Sequence, residues 1–340
     1  MKFLIFGAGA IGTYVGGSLV LADHLVVFLE RPDAGAELRQ HGLCLEINGQ
    51  TRRIENPQVS TSLEEAIAFG PFDAAVFALK SYDTQAALQT LVTYKASLPP
   101  VLCLQNGVEN EALLASVLGN DQVIAGTVTS SIGRRGVGDI LLERSRGIGV
   151  AAGQPLADSL VAALDDAGLP ARLYPDGAGM KWSKLLTNLL ANASAAILDM
   201  TPAEVFSHPG LYRLEIDQLR EALAVMDAQG IKVVNLPGTP VRALSFVARV
   251  LPLSLSRLLL RRAVGSGRGA KMPSLHIDLH RGRGKSEVDT LNGAVVRYGE
   301  RCGISTPVNR LFNETLLALT EGRIAMGTYT RQPEKLIHGV

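Results

Sequence analysis

Three groups of residues have the types and spacing to do chemistry. Gly7, Gly9 and Gly12, in the run Gly7-Ala8-Gly9-Ala10-Ile11-Gly12, have the spacing with which a backbone cradles the pyrophosphate of a dinucleotide. In such a turn the first glycine permits the bend and the second lets amides approach the phosphates. The third lets the following helix pack closely on its strand. The start of that helix adds unpaired N–H groups and the positive end of its dipole. The second group is Lys184, Asn188 and Asn192, spaced so that one face of one helix presents an ammonium and two amides. Such groups are costly to bury without partners, and Lys181 and Ser183 are better placed to face solvent, so the row reads as ligand-facing. The third group is the run Ser286-Glu287-Val288-Asp289-Thr290-Leu291-Asn292-Gly293. Ser286 can cap a helix there, with Glu287 and Asp289 near its positive end; capping alone accounts for both acids and leaves open which one faces a ligand.

Other chemistries are poorly represented. His276 and His280 are one helical turn apart and could in principle hold zinc. Ile277 stands where the HExxH pattern needs glutamate, and no third ligand is evident, so no metal is expected. There is no GxSxG elbow or Cys-His pairing to suggest a hydrolase.

The elements that position these groups follow from pattern. MKFLIF is an apolar run that ends on Gly7, as a short buried strand does. Ile11, Val15 and Leu19 carry a helical period to Leu21, and His24 to Leu29 form a second strand ending at Glu30-Arg31. Strand, glycine turn, helix and strand within about thirty residues is the context the glycine signature requires. A helix from Asp33 to His41, a hairpin around Asn48-Gly49 and a short helix starting at Thr61 or Ser62 follow. Apolar strands then end at Lys80 and at Gln105-Asn106-Gly107, with helices Asp83–Thr93 and Glu109–Leu118 and a strand Gln122–Thr129. This alternation predicts an α/β fold, a Rossmann-type doubly wound sheet with ligands at the C-terminal ends of its strands, where Lys80 and Asn106 fall. Asp139–Glu143 and Arg146–Val150 read as an antiparallel extension of that sheet; a helix Leu156–Ala167 and a strand Ala171–Tyr174 complete this half.

Past Pro175-Asp176-Gly177 the pattern is helical: Met180–Leu198, Pro202–Val205, Gly210–Gln229, Val241–Leu260 broken near Pro252, a helix from Ser274, Val288–Cys302 and Val308–Glu321. The expected organisation is a dinucleotide-binding domain over 1–176, an all-α substrate and catalytic domain over 177–328, and an unstructured tail over 329–340. Gly265, Gly267 and Gly269 predict a mobile loop over 263–271.

A chain of 340 residues is long enough for two domains. Its 47% hydrophobic and 19% charged residues and net charge of +1 give no reason to expect nucleic acid or an acidic surface as partner. Apolar stretches such as 185–198 are too short and too rich in Asn and Ser to cross a bilayer, so no membrane association is expected. A strand and turn at the N-terminus argue against a removable signal peptide. Cys44, Cys103 and Cys302 are far apart without a CxxC, which fits a reducing, cytoplasmic compartment. The apolar segment 241–260, with arginines at 242, 249 and 257, reads as internal packing, with a homodimer as the alternative.

Cofactor choice rests on Glu30-Arg31. An acid at the end of the second strand accepts from a ribose 2′-OH and favours NAD, whereas an arginine pairs with a 2′-phosphate and favours NADP. Strand side chains alternate, so only one of the two need face the ribose.

Taken in order, GAGAIG at 7–12, Leu79-Lys80, Gln105-Asn106-Gly107, Lys181 to Asn192 and Ser286 to Gly293 resemble the ketopantoate reductase (2-dehydropantoate 2-reductase) family over nearly the whole chain. The resemblance implies NADPH as cofactor, NADH being less favoured. It implies reduction of a small 2-keto acid, ketopantoate to pantoate, on the route to pantothenate and coenzyme A. Lys184 matches the catalytic lysine and Glu287 the glutamate near it, while Asn106, Asn188, Asn192 and Ser274 match substrate-binding positions. Gly7, Ala8, Gly9, Ala10, Ile11, Gly12, Arg31, Lys80, Asn106 and Glu287 match cofactor-binding positions, with Arg31 at the 2′-phosphate. Two stretches depart from the family pattern: 281–285 is one residue longer and 235–271 is extended, which bears on substrate more than on reaction type. The alternatives are a dehydrogenase of another 2-keto or 2-hydroxy acid and a non-catalytic NADP-sensing protein; the lysine row argues against a sensor.

Overall fold

The computed structural model describes residues 1–268, 271–282 and 284–339, with side chains described outside 261–270. Its contacts divide the chain into two units, Met1–Lys181 with Leu236–Thr239 and Trp182–Asn235 with Pro240–Val340.

The first unit is built on two sheets. Its strands are β1 (Lys2–Phe6), β2 (Leu25–Leu29), β3 (Leu43–Ile47), β4 (Gln50–Ile54), β5 (Gln58–Ser60) and β6 (Ala74–Phe77). They continue with β7 (Val101–Cys103), β8 (Val123–Val128), β9 (Ser131–Gly136), β10 (Asp139–Arg144), β11 (Ile148–Ala151) and β12 (Ala171–Tyr174). The helices are α1 (Ala10–Leu21), α2 (Pro32–His41), α3 (Leu63–Ala68), α4 (Thr84–Tyr94), α5 (Asn110–Leu118) and α6 (Ala157–Asp166). The large sheet runs β12-β11-β8-β7-β6-β1-β2-β5 and is parallel except where β11 meets β8. Both of its faces are buried, which is why β1 reads as an unbroken apolar run. Phe3 and Ile5 enter one core with Tyr14, Val15 and Leu19 of α1, and Leu4 and Phe6 enter the other with Leu88 and Leu114 of α4 and α5.

The smaller sheet, β4-β3-β10-β9, corrects the expected antiparallel extension. Only β11 joins the large sheet; β10 pairs with β9 and, in parallel, with β3. Leu45 and Ile140 of this sheet share a core with α1, so that helix is covered on nearly every side and reads apolar all round rather than amphipathic.

The second unit is helical. After α7 (Gly177–Leu189), which starts in the first unit, come α8 (Ala193–Leu198), α9 (Pro202–Ser207), α10 (Pro209–Ala228), α11 (Val241–Val250) and α12 (Leu253–Arg268). A further α13 (Ser274–His280), a π-turn at Asp289–Gly293, α14 (Ala294–Cys302), α15 (Pro307–Thr320) and α16 (Pro333–Ile337) complete it. A buried polar network ties the centre together: Asn292 donates to Gln218 and Asn309, and the Asn309 side chain donates to Glu221 on α10. Burial raises the Glu221 carboxyl above its usual range, and the amides of Asn309 and Val308 oppose that shift.

Three expectations fail here. The tail over 329–340 is not unstructured: Pro333 starts a helix whose Leu336 is fully buried, an apolar anchor that a terminal position hides in the sequence. The loop over 263–271 gives way to α12, which continues to Arg268, while positions 269 and 270 lie outside the described residues. Segment 241–260 is only partly internal. Val241 and Ala248 of α11 are buried, whereas Phe246, Val250, Leu255, Leu258 and Leu259 are exposed.

Candidate active site

The glycine turn follows β1 and uses its glycines unequally. Gly7 has φ +89°, the left-handed region that glycine alone occupies without strain. A Cβ at Gly12 would stand 1.7 Å from the Gly7 carbonyl oxygen, so no side chain fits. A Cβ at Gly9 would meet nothing within 4 Å. The helical ladder begins with Thr13 N–H donating to the Gly9 carbonyl, so the amides of Ala10, Ile11 and Gly12 precede it and are available to an anion. Ala8 differs: its N–H donates to Glu30 Oε1 at 2.5 Å, and its carbonyl accepts from the Thr13 hydroxyl at 2.9 Å. Glu30 also accepts from the Arg31 amide at 3.1 Å, whereas the Arg31 side chain is exposed at the start of α2.

Lys80 and Asn106 follow β6 and β7, neighbouring strands of the large sheet, with β1 next to β6. Their loops are tied together by residues the sequence did not single out. Ser81 donates to the Asn106 carbonyl at 3.2 Å, and Asn110 donates to that carbonyl at 2.7 Å and to the Ser81 hydroxyl at 3.2 Å. Gln105 donates to the Leu79 carbonyl and to the Thr84 hydroxyl. The one available signal was Asn110, four residues after Asn106 at the opening of a helix. The first unit thus gathers the glycine turn, Glu30-Arg31, Lys80 and Asn106 at the C-terminal ends of adjoining strands.

Lys181 is not solvated, contrary to expectation. It is 4% exposed and its ammonium lies 2.7 Å from Glu111 Oε1, with further bonds to the Gln105 and Gly126 carbonyls. Glu111 is seventy positions away in sequence (181 − 111), so no local pattern could announce it. Beside them the Cys103 thiol is pushed well up by burial and, secondarily, by the Glu111 charge. Ser183 is also buried, its hydroxyl accepting the Val234 amide at 2.9 Å.

The single helix expected over 180–198 is broken. Ala191 has φ +45°, and α7 ends at Leu189 before α8 begins at Ala193. The cause is Glu215 on α10, fully buried, which accepts the Ala191 amide at 2.7 Å and the Ser194 hydroxyl at 2.6 Å. A side-chain carboxyl acceptor replaces a helical carbonyl, and the chain turns to reach it. Lys184 and Asn188 therefore share a face of α7, both partly buried, while Asn192 sits at the N-cap of α8. Asn192 is 5% exposed; its amide donates to the Asn188 carbonyl at 2.9 Å and its oxygen accepts the Leu275 amide at 3.1 Å. Through that last bond Asn192 is fastened to the residue after Ser274, which opens α13 with an exposed side chain. Glu287 is buried, 3% exposed, and its backbone carbonyl accepts the amides of Thr290 and Leu291 at the π-turn. Ser286 accepts the Val288 amide at 3.2 Å, just ahead of the π-turn. Asp289 turns away to pair with Arg297 at 2.9 Å.

A largely parallel sheet with a glycine turn after its first strand, followed in the chain by a helical unit, defines a Rossmann-type fold with a C-terminal α-helical domain. Residues 3–153 match the family described as ketopantoate reductase PanE/ApbA, and residues 177–320 match its C-terminal domain. The chain belongs to the PanE/ApbA ketopantoate reductase family. Among curated relatives, the 2-dehydropantoate 2-reductase of Archaeoglobus fulgidus is 29% identical over 94% of this chain and 96% of its own length. That of Halobacterium salinarum is 28% identical over 91% and 96%. A PanE/ApbA family ketopantoate reductase from Ralstonia eutropha superposes with TM-score 0.79 at 28% identity, covering 95% of this chain and 99% of that one. A D-mandelate dehydrogenase in complex with NADH and anilino(oxo)acetate has the same fold, with TM-score 0.77 at 21% identity and coverage of 95% and 99%.

Proposed function

We propose that the chain catalyses NADPH-dependent reduction of ketopantoate to pantoate, the 2-dehydropantoate 2-reductase reaction. The observation that carries this reading is the occurrence, in one chain of that family, of an open phosphate turn at Gly9 together with Lys184 one helical turn before Asn188. The unbridged cysteines support a cytoplasmic setting.

The amides of Ala10, Ile11 and Gly12 hold the pyrophosphate, with Gly7 and Gly12 fixing the turn. Ala8 contributes by anchoring Glu30 rather than by touching phosphate. Arg31 pairs with the 2′-phosphate, and Lys80 and Asn106 complete the grip at the neighbouring strand ends. The dinucleotide, when bound, supplies the hydride. As the keto carbon is reduced, negative charge gathers on its oxygen; the Lys184 ammonium stabilises that charge and delivers the proton. Asn188 orients the acid, and the Ser274 hydroxyl holds the carboxylate or a hydroxyl of the substrate. Glu287 holds the lysine or a substrate hydroxyl. Asn192 already spends one N–H and its oxygen on Asn188 and Leu275, so it serves mainly as a positioning residue.

NADPH oxidation measured with ketopantoate and with a panel of other 2-keto acids tests this. The expected result is the highest kcat/KM for ketopantoate. A higher value for another acid assigns the chain to a sister dehydrogenase, and a fold shared with a D-mandelate dehydrogenase shows that the fold alone does not choose the acid. Tight NADPH binding with no turnover of any acid identifies a sensor.

A further inference from the structure

The second unit supplies the third ligand that the sequence lacked. Asp199, the residue that ends α8, lies beside His276 and His280 of α13. His276 Nε2 is 2.8 Å and His280 Nε2 3.9 Å from Asp199 Oδ1, and one donor atom from each residue lies within 4.8 Å of the others. A tetrahedral ion with bonds of about 2.0–2.2 Å separates its ligand atoms by roughly 3.3–3.6 Å, which falls inside that spread.

Three features favour a cation over a simple hydrogen-bonded pair. The imidazoles stack at a tilt, centroids 4.0 Å apart and 32° from parallel, with their Nε2 atoms 2.8 and 3.9 Å from the same carboxylate oxygen. Asp199 ends α8 in the left-handed region, φ +50° and ψ +48°, which a non-glycine residue seldom adopts. His276 is 13% exposed and His280 42%, so the cluster is inner-walled on one side and open to water on the other, leaving room for a solvent ligand.

We propose that Asp199, His276 and His280 form a site for a divalent transition-metal ion of the zinc class, bridging α8 to α13. Two imidazoles and a carboxylate are a donor set suited to zinc, with water in the fourth position. The site has a structural consequence. Asn192 at the other end of α8 is bonded to Leu275 of α13, so the metal would be a second clamp across the same pair of helices. Those helices carry Asn192 and Ser274. The inference does not depend on the reaction proposed above.

The test uses the full chain without a histidine tag, stripped with chelator and titrated with zinc chloride by calorimetry, then with cobalt(II) by visible absorption. One equivalent should bind, and saturating zinc should raise Tm. His280→Ala, an exposed position, and Asp199→Asn should each weaken zinc binding at least tenfold and remove most of the Tm rise. His338→Ala, outside the cluster, should leave both unchanged. X-ray absorption at the zinc edge of the wild-type protein should count two imidazoles, a reading that does not depend on how the variants fold. No saturable one-to-one binding in wild type, or binding that survives both cluster substitutions, overturns the site.

Discussion

The glycine turn and the α7–α8 corner perform comparable tasks by opposite means. The turn after β1 places backbone groups, and its geometry is fixed by what is missing: no side chain fits at Gly12, and nothing stands at Gly9. The corner places side chains, and its geometry is fixed by a residue from elsewhere, Glu215, which draws Ala191 out of the helix. A backbone site is therefore encoded by a short run of sequence, whereas a side-chain site depends on partners brought by the fold. The two lysines of α7 make the same point within one helical turn. Lys181 is consumed by Glu111 and two carbonyls, and Lys184 carries the proposed chemistry.

Lys181→Ala probes the first side of that contrast most severely. Removing one partner of a buried pair leaves Glu111 uncompensated at the strand ends, and destabilisation of about 3 kcal/mol is expected. Urea unfolding measures it. A loss below about 0.5 kcal/mol would mean the pair is only a surface contact.

Gly12→Ala and Gly9→Ala separate fold from ligand at the turn. The first forces a methyl against the Gly7 carbonyl and should cost roughly 1–3 kcal/mol or more of stability together with dinucleotide binding. The second should leave the melting temperature nearly unchanged while NADPH affinity falls, because its methyl enters space that only a ligand needs. Equal thermal damage from both would show that the opening at Gly9 is not a phosphate site.

Arg31→Ala is the smaller effect. It should weaken NADPH binding about tenfold, roughly one charge-assisted contact, and leave NADH nearly as before. Glu30 makes this a sharp comparison, since its carboxylate already occupies the Ala8 amide beside the same strand end. Wild-type preference for NADH, or equal weakening of both cofactors, would assign the ribose to Glu30.

The legibility of the chain follows the same division. Most of the large sheet, the glycine turn and the positions of Lys80 and Asn106 could be read because strand runs, turn glycines and strand ends are local signals, whereas its three-residue edge strand β5 was too short to show. The second sheet could not: β3 ends at Ile47 and β10 starts at Asp139, and the parallel pairing of such distant strands has no local mark. The row at Lys184, Asn188 and Asn192 was legible only as far as the helix stays straight. Its break depends on Glu215, and the third member became an N-cap committed to Leu275. Asp199 escaped for the same reason, because its left-handed backbone brings it to His276 across 77 positions of sequence.

The central claim is that Lys184 carries the chemistry while the first unit binds the dinucleotide on its own terms. The direct measurement is kcat for ketopantoate reduction by Lys184→Ala, with NADPH affinity determined alongside by fluorescence titration. The account predicts a fall in kcat of about 100-fold or more, the order expected for a lost acid catalyst and oxyanion partner, with NADPH affinity within about twofold of wild type. A kcat within a few fold of wild type would contradict it and return Lys184 to the role of an ordinary helix residue.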